Sequence, residues 1–257
     1  MLYPKRVTVE LTNKCNRTCK ECPRHKMKYP TGYMTKSFYK HIINQLPNKT
    51  TIVPFFRGES TLHPRFPQFM RALARFKAVQ LATNGDNLTF HVRNAILKHV
   101  TFFSLSIHEE AHPTHKQYRF MKKLRAAGIE TQVSFVGELQ NRIGFMAHWR
   151  PYVDRIRLYQ PHSVRSLGDM TGCYPPLSVC RKPFEDMIIY WDGKVGLCNH
   201  DWNNLTVLGR VNGSNIAGVF NSQNYMKVRE STRQQIAVCK DCSFESDKVY
   251  GELIECN

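Results

Sequence analysis

The alternation of strand-like and helical segments constrains the fold of this chain more than any other feature of its sequence. Short apolar or β-branched runs lie at residues 6–11, 51–56, 78–82, 102–107, 131–136 and 155–159. Helical patterns between them cover residues 34–46, 67–76, 88–97, 116–127 and 143–150. Six β/α units in series favour an α/β fold with a parallel sheet, and their length and order fit a partial (β/α)6 TIM-type barrel. The chemistry of such barrels lies at the carboxyl ends of the strands.

Local signals mark the ends of several of these elements. Thr35 or Ser37 is expected to cap the first helix, and Gly128 lies where the fourth helix should end. Near the C-terminus, Asp192-Gly193 separates two β-prone runs, which predicts a β-hairpin.

Three cysteines follow the first predicted strand, at Cys15, Cys19 and Cys22, with the spacing C-x3-C-x2-C. Thiolates on a short loop suit a soft metal site, and three of them leave one iron of a cubane cluster open to a further ligand. A zinc loop that lacks its fourth ligand, or a set of buried free cysteines, is the alternative interpretation.

A second group of cysteines lies in the last third of the chain, where the β/α alternation has stopped: Cys173, Cys180, Cys198, Cys239, Cys242 and Cys256. The predicted hairpin would bring Cys180 and Cys198 together, and Cys239 and Cys242 form a C-x2-C knuckle. These two pairs predict a four-thiolate site. Zinc would fit it on ligand softness as well as an iron–sulfur cluster does.

Length and composition are those of a soluble globular protein. The chain has 257 residues, of which 42% are hydrophobic and 22% charged. No run approaches the roughly 18 apolar residues of a membrane span, and the first strand begins too early for a signal peptide. We therefore expect no membrane association and a cytoplasmic location, where nine cysteines favour metal over disulfides.

The formal net charge of +17 suggests an anionic partner. A phosphorylated small molecule, a nucleotide or an RNA would each satisfy it. Because the Lys and Arg residues are scattered along the chain, a generally basic surface is the alternative interpretation.

Both groups of cysteines resemble those of one family. The first resembles the cluster loop of the radical S-adenosylmethionine (radical SAM) superfamily, and the pattern C-x12-G-x4-C…C-x2-C resembles its auxiliary-cluster extension SPASM, or the shortened form, twitch. The resemblance implies a radical SAM core at 1–167, a small α+β twitch domain with the hairpin at 168–257, and two [4Fe–4S] clusters. The implied ligands are Cys15, Cys19 and Cys22 for the first cluster, and Cys180, Cys198, Cys239 and Cys242 for the second.

Several strand ends resemble the SAM-binding positions of this superfamily. Arg57-Gly58-Glu59-Ser60 stands where the superfamily has Gly-Gly-Glu-Pro, so Gly58 and Glu59 are expected at the methionine ammonium of SAM. Asn84 belongs to a Thr-Asn-Gly sequence that is also frequent in the superfamily. A simple turn is the alternative at each of these positions.

Two further strands supply polar candidates. Ser106 on the fourth strand is the candidate for the SAM ribose, and Ser134 on the fifth has a similar position facing the cofactor. Within the cysteine loop, one residue departs from the pattern of the superfamily. Glu21 replaces the aromatic residue that usually precedes the last cluster cysteine.

The resemblance implies reductive cleavage of SAM to a 5′-deoxyadenosyl radical, which abstracts a hydrogen atom from an anionic substrate. A second cluster implies that an electron is then removed, as in dehydrogenase-type oxidation of a small sugar or alcohol. His108 and Glu109 are candidates for the base by position, and Cys173 is a candidate hydrogen-atom donor. The first cluster would need an external one-electron reductant, a flavodoxin or a ferredoxin.

Other functions stay open at this point. A maturase acting on a ribosomal peptide would use the same chemistry, although no leader-binding domain precedes the first strand. A nucleotide- or RNA-modifying enzyme would suit the positive charge. Outside enzymology, the chain could be a zinc-stabilised RNA-binding protein.

Overall fold

Six parallel strands with intervening helices form the first part of the protein, in a computed structural model that describes residues 1–20, 22–108, 113–136, 142–159, 180–231, 235–236, 239 and 252–256. The strands are β1 (Arg6–Val9), β2 (Thr51–Val53), β3 (Ala78–Thr83), β4 (Phe102–His108), β5 (Glu130–Val136) and β6 (Arg155–Tyr159). The helices are α1 (Lys36–Gln45), α2 (Phe66–Arg71), α3 (Phe90–His99), α4 (His115–Ala126) and α5 (Arg142–Trp149). Each strand pairs in parallel with the next one along the chain. The predicted partial barrel is confirmed.

The element ends follow their capping residues. Thr35 caps α1 by accepting a hydrogen bond from the Phe38 amide, and Gly128 ends α4 with a φ of 75°. Both were expected from the sequence. Thr114 and Gln117 form a capping box at the start of α4, which the sequence analysis did not predict.

Three predicted bounds were wrong. The first two strands end early, at Val9 and Val53, because the backbone beyond them turns into the loops of the site. The second helix ends at Arg71, since the amides of Leu73 and Phe76 bond to carbonyls three residues back and tighten the chain into turns.

The C-terminal part of the chain continues the same sheet. It contains α6 (Lys182–Glu185), β7 (Asp186–Ile189), β8 (Lys194–Gly196), β9 (Val207–Arg210), α7 (Ile216–Phe220), α8 (Gln223–Glu230) and β10 (Glu252–Glu255). β7 and β8 form the predicted antiparallel hairpin, with Gly193 at a φ of 89° in its turn. β7 also pairs in parallel with β1, and β10 pairs antiparallel with β6, so the sheet order is β10-β6-β5-β4-β3-β2-β1-β7-β8-β9. The division at residues 167/168 falls outside the described residues and stays a prediction.

The two faces of the sheet differ in polarity. Apolar side chains point toward the helices, where Phe103 packs on Phe120 of α4 at 5.7 Å between ring centroids. The opposite face, which we call the inner face, carries Ser104, Gln132 and Ser134 in mutual hydrogen bonds. A polar inner face at the carboxyl ends of the strands provides the surface on which a site can be built.

Membrane-spanning helices are absent from the described part of the chain, where none of the helices is long and apolar enough to cross a bilayer.

The left-handed backbone at Gly128 gives a test of the α4 boundary. A Cβ at this position would meet no atom within 4 Å, so Gly128→Ala changes only the backbone preference. We expect a loss of about 1 kcal/mol, or about 2–4 °C in the thermal midpoint of anaerobically purified protein. Gly128→Asn should lose less, because Asn tolerates this conformation better. Equal midpoints for the wild type and Gly128→Ala would contradict the assigned helix end.

Candidate functional site

The cysteine loop after β1 presents three free thiols. Cys15, Cys19 and Cys22 are all partly buried. Burial raises the pKa of Cys19 and of Cys22, and the neighbouring thiols of the loop raise both further. The loop therefore concentrates groups that become thiolates most readily when a cation is present.

Two buried polar residues close the base of this loop. The Asn13 side chain donates to the Pro30 carbonyl at 2.8 Å and accepts from the Gly32 amide at 2.9 Å. The Thr12 hydroxyl donates to the Gly32 carbonyl at 2.7 Å. The sequence analysis assigned no role to Thr12 or Asn13. Both side chains are fully buried, and their hydrogen bonds hold the two ends of the loop together.

The end of β3 contacts the cysteine loop directly. Asn84 donates to the Asn16 side chain at 2.9 Å and has the Cys15 sulfur at 4.0 Å. Asp86 accepts hydrogen bonds from Arg17 and Asn16. Burial opposes ionisation of Asp86, but these bonds outweigh it and lower the pKa of the carboxyl. Asn84 thus lies beside the first predicted ligand set.

Gly58 lets the end of β2 approach the backbone of the same loop. The next amide, that of Glu59, donates to the Lys14 carbonyl at 2.8 Å. A Cβ at Gly58 would lie 2.5 Å from the carbonyl oxygens of Thr12 and Lys14. Only glycine fits this contact without moving the loop.

The Glu59 carboxylate joins the segments that follow β2 to the end of β3. Its Oε1 accepts from the Thr61 amide, the Thr61 hydroxyl and the Thr83 hydroxyl, at 3.0, 2.7 and 2.8 Å. Among the described residues, its Oε2 accepts from the Asn84 amide alone, at 2.8 Å. Since each carboxylate oxygen has about two acceptor positions, Oε2 keeps one for a further donor. The adjacent Ser60 hydroxyl is fully buried and has no hydrogen-bond partner among the described residues.

The two serine candidates differ in their surroundings. Ser106 is half-buried, and the alternation along β4 puts it on the inner face with Ser104. Ser134 is buried and bonds to Ser104 at 2.7 Å and to Gln132 at 2.8 Å. The serine–glutamine network engages the Ser134 hydroxyl, whereas no described residue forms a side-chain hydrogen bond with the Ser106 hydroxyl.

Two cysteines of the second group, Cys180 and Cys198, lie at the end of the β7–β8 hairpin opposite its turn. Cys180 precedes α6, and Cys198 follows β8 in a buried position. Burial raises the pKa of Cys198, the Cys239 thiol raises it further, and Lys182, two residues after Cys180, lowers it. The Cys239 thiol is thus close enough to the Cys198 thiol to affect its pKa. Cys256 lies at the opposite edge of the sheet, where its amide donates to the Asp154 carbonyl.

Several predicted residues lie outside the described part of the structure. They are Glu109, Cys173, Cys242 and Glu21, together with the side chain of His108, whose backbone ends β4. Their roles stay predictions.

The donor set fits iron–sulfur clusters. In the described part of the chain, no three His, Cys, Asp or Glu side chains converge closely enough to hold a single metal ion. Three thiols on one short loop suit a cubane cluster, because three thiolates leave one iron open to a further ligand. The free acceptor position of Glu59 and the unpartnered Ser60 hydroxyl are suited to a polar ligand with an ammonium group.

Comparison with known proteins extends this picture over the whole chain. The SPASM family, described as an iron–sulfur cluster-binding domain, matches residues 180–243. The S-adenosyl-L-methionine-dependent 2-deoxy-scyllo-inosamine dehydrogenase of Niallia circulans is 24% identical over 263 residues, which cover 96% of this chain and 97% of that protein. The chain is thus similar along nearly its whole length to an S-adenosyl-L-methionine-dependent dehydrogenase, and its C-terminal part matches an iron–sulfur cluster-binding domain.

Solved structures of other proteins have the same fold as this chain. The structure of BtrN in complex with AdoMet and 2-DOIA matches with a TM-score of 0.69 and 21% identity, covering 95% of this chain and 94% of that chain. The structure of Streptococcus suis SuiB bound to precursor peptide SuiA matches with a TM-score of 0.70 and 13% identity. The matched region covers 94% of this chain and 70% of the SuiB chain.

The close approach at Gly58 yields a test of the site. In Gly58→Ala, the added Cβ would push the Thr12–Lys14 backbone away from the β2 turn. Overpacking of this kind costs about 1–3 kcal/mol, so we expect SAM to bind about tenfold more weakly to the anaerobically reconstituted enzyme. Gly128→Ala is the matched control, because its Cβ enters open space. Wild-type SAM affinity in Gly58→Ala would contradict this role of Gly58.

Proposed function

We propose that the protein is a radical SAM enzyme that uses S-adenosylmethionine and two [4Fe–4S] clusters. In this proposal it oxidises an alcohol group of a small, anionic, sugar-like substrate to a carbonyl. The observation that carries this proposal is the end-to-end match with the inosamine dehydrogenase, which includes 96% of one chain and 97% of the other. The formal net charge of +17 supports an anionic substrate.

The oxidation sets requirements that the chain must meet. Converting a secondary alcohol to a ketone removes two electrons and two protons from the substrate, one pair as a hydrogen atom. The remaining proton needs a base, and the remaining electron needs an acceptor. When bound, the first cluster with SAM supplies the hydrogen-abstracting radical, and the second cluster supplies a one-electron acceptor.

We assign the cysteines to these two clusters. Cys15, Cys19 and Cys22 would hold the first, and the second would be held by Cys180, Cys198, Cys239 and Cys242. The partial burial of the first three and the proximity of Cys198 to Cys239 support the assignment.

The remaining site residues bind and orient SAM in this proposal. Glu59 accepts the methionine ammonium at Oε2, and Gly58 allows the turn to reach it. Asn84 holds the cysteine loop beside that position, and Ser106 offers its hydroxyl to the ribose. Ser134 contributes only indirectly, because its hydroxyl is hydrogen-bonded to Ser104 and Gln132.

We assign the base that accepts the proton by its position at the end of the fourth strand. His108 ends β4 at the carboxyl edge of the sheet, and Glu109 follows it, so one of the two would accept the proton. Cys173 would matter if the reaction returned a hydrogen atom to the substrate, as in an epimerisation. A net oxidation does not use that step.

The reaction also implies an external partner and a compartment. Each SAM cleavage consumes one electron, for which we propose flavodoxin or ferredoxin as the donor. We propose a cytoplasmic location, which is supported by the free thiols of all seven described cysteines.

Peptide modification is the second candidate function. The match to SuiB bound to its precursor peptide favours it, although the chain covers only 70% of SuiB. The positive charge keeps RNA and nucleotides as further substrates to test.

Deuterium transfer tests the proposed substrate class. The reduced enzyme is incubated with SAM and with amino sugars, sugar phosphates, peptides and nucleotides that carry deuterium at the candidate carbon. We expect deuterium in 5′-deoxyadenosine, together with a carbonyl product, from a sugar-like alcohol. Transfer from a peptide or a nucleotide alone would contradict the proposal and identify the second class.

Cysteine variants separate the two proposed clusters. Cys19→Ala should abolish SAM cleavage, whereas Cys239→Ala should still form 5′-deoxyadenosine but no oxidised product. Cys256→Ala is the matched control, because this buried thiol lies at the far edge of the sheet and should affect neither step. Full turnover in Cys239→Ala would show that the second cluster is not the electron acceptor. Zinc without sulfide in anaerobically purified protein would contradict both assignments.

A further inference from the structure

Arg57 stands where the radical SAM superfamily has the first glycine of Gly-Gly-Glu-Pro, and its side chain forms a buried ion pair. Its Nε donates to Glu10 Oε1 at 2.6 Å, and its Nη2 donates to Glu10 Oε2 at 2.7 Å. Both side chains are fully buried. Two parallel charge-assisted bonds of this kind fix orientation as well as distance.

The same guanidinium reaches the C-terminal part of the chain. Its Nη1 donates to the Trp202 carbonyl at 2.6 Å. Trp202 lies in the loop that begins at Cys198 and ends at β9. The carbon of the guanidinium also lies 4.1 Å from the ring centroid of Tyr29 and 4.2 Å from that of Tyr190. Arg57 therefore contacts four segments: the residue that follows β1, the last part of the cysteine loop, the end of β7 and the Cys198 loop.

Other contacts tie the same four segments to one another. The Trp191 amide donates to Glu10 Oε2 at 3.3 Å. The Tyr29 hydroxyl donates to the Asp192 carboxylate at 2.9 Å, and the Tyr190 hydroxyl donates to the Asp201 carbonyl at 2.7 Å. The Arg57 guanidinium contacts one residue in each of the four segments.

Stability alone does not account for this arrangement. Replacing a buried ion pair by apolar residues of similar volume is often neutral or stabilising, because both charges lose their hydration. What arginine adds is a planar fork of five donors that can hold several partners in fixed directions. Here three donors reach three acceptor atoms in two residues, which lie 47 and 145 positions away along the chain.

We propose that Arg57 is a positioning residue that holds the Gly58-Glu59 turn at a fixed place relative to the Cys198 loop. This inference rests on the proposed function, because it assigns a purpose to that geometry. The radical left on the substrate after hydrogen abstraction must lose its electron before side reactions occur. Arg57 keeps the SAM-binding turn and the loop that carries a second-cluster ligand in the arrangement that allows this.

Arg57→Lys is the test variant. Lysine keeps the positive charge beside Glu10 but loses the bidentate bond and the planar contact with the two tyrosine rings. A misplacement on the order of 1 Å costs about 10²-fold in a reaction that depends on geometry. We expect the ratio of 5′-deoxyadenosine to oxidised product to rise about tenfold or more, while the enzyme keeps wild-type iron content.

Arg75→Lys is the matched control. Arg75 also has several partners, since it donates to the Leu46 carbonyl at 2.7 Å and lies 4.5 Å from the Phe76 ring centroid, but it contacts none of the four segments. We expect Arg75→Lys to keep the wild-type product ratio. If Arg57→Lys and Arg75→Lys show the same product ratio as the wild type, the positioning role is wrong.

Hydrogen exchange of the holoenzyme gives a readout that does not depend on turnover. We expect faster amide exchange in residues 29–34 and 198–206 of Arg57→Lys, and no change there in Arg75→Lys. Unchanged exchange in Arg57→Lys overturns the inference, even if the proposed function holds. If the wild type oxidises none of the sugar-like substrates but the exchange differs as expected, the proposed function fails and the positioning link stands.

A second variant covers a failure of Arg57→Lys to fold. In the double variant Glu10→Gln with Arg57→Gln, both groups are neutral, so no unpaired charge is buried. Faster exchange in the same two segments, with iron retained, supports the inference. Exchange equal to that of the wild type overturns it.

Discussion

The parallel pairing of β1 with two neighbours determines where the parts of the site lie. β1 pairs with β2 on one side and with β7 on the other, and all three strands run in the same direction. Their carboxyl ends therefore share one edge of the sheet. The cysteine loop, the Gly58-Glu59 turn and the hairpin turn begin side by side at that edge, while Cys180 and Cys198 lie at the other end of the hairpin. The β7–β8 hairpin thus separates Cys180 and Cys198 from the cysteine loop that follows β1.

Buried polar groups then hold the loops at this edge. A buried donor or acceptor without a partner is costly, so each such group restricts the backbone that supplies its partner. Asn13 fixes the base of the cysteine loop, and Glu59 joins the ends of β2 and β3 through Thr61, Thr83 and Asn84. The Glu10–Arg57 pair extends the same principle to the C-terminal part of the chain. The site is therefore preorganised by hydrogen bonds rather than by apolar packing.

Much of this arrangement could be predicted from local sequence. Thr35, Gly128 and Asp192-Gly193 act through their own backbone neighbours, so their caps and turns were confirmed. The helix α2 was predicted too long, because periodicity does not reveal where the chain tightens into turns. Arg57 was noted only as a departure from a family pattern. Nothing in its immediate sequence indicates that its partner is Glu10.

The sequence by itself determined the chemistry available to this protein: two groups of thiols, a β/α series and a glycine at the end of β2. These depend on residue type and on spacing over a few positions, and both are readable along the chain. Only the tertiary structure decided that β7 adds to β1, that β10 returns to β6, and that Arg57 meets Trp202. Such contacts join residues more than a hundred positions apart in the case of Arg57 and Trp202. These contacts depend on strand order and register, which are fixed only when the whole sheet assembles.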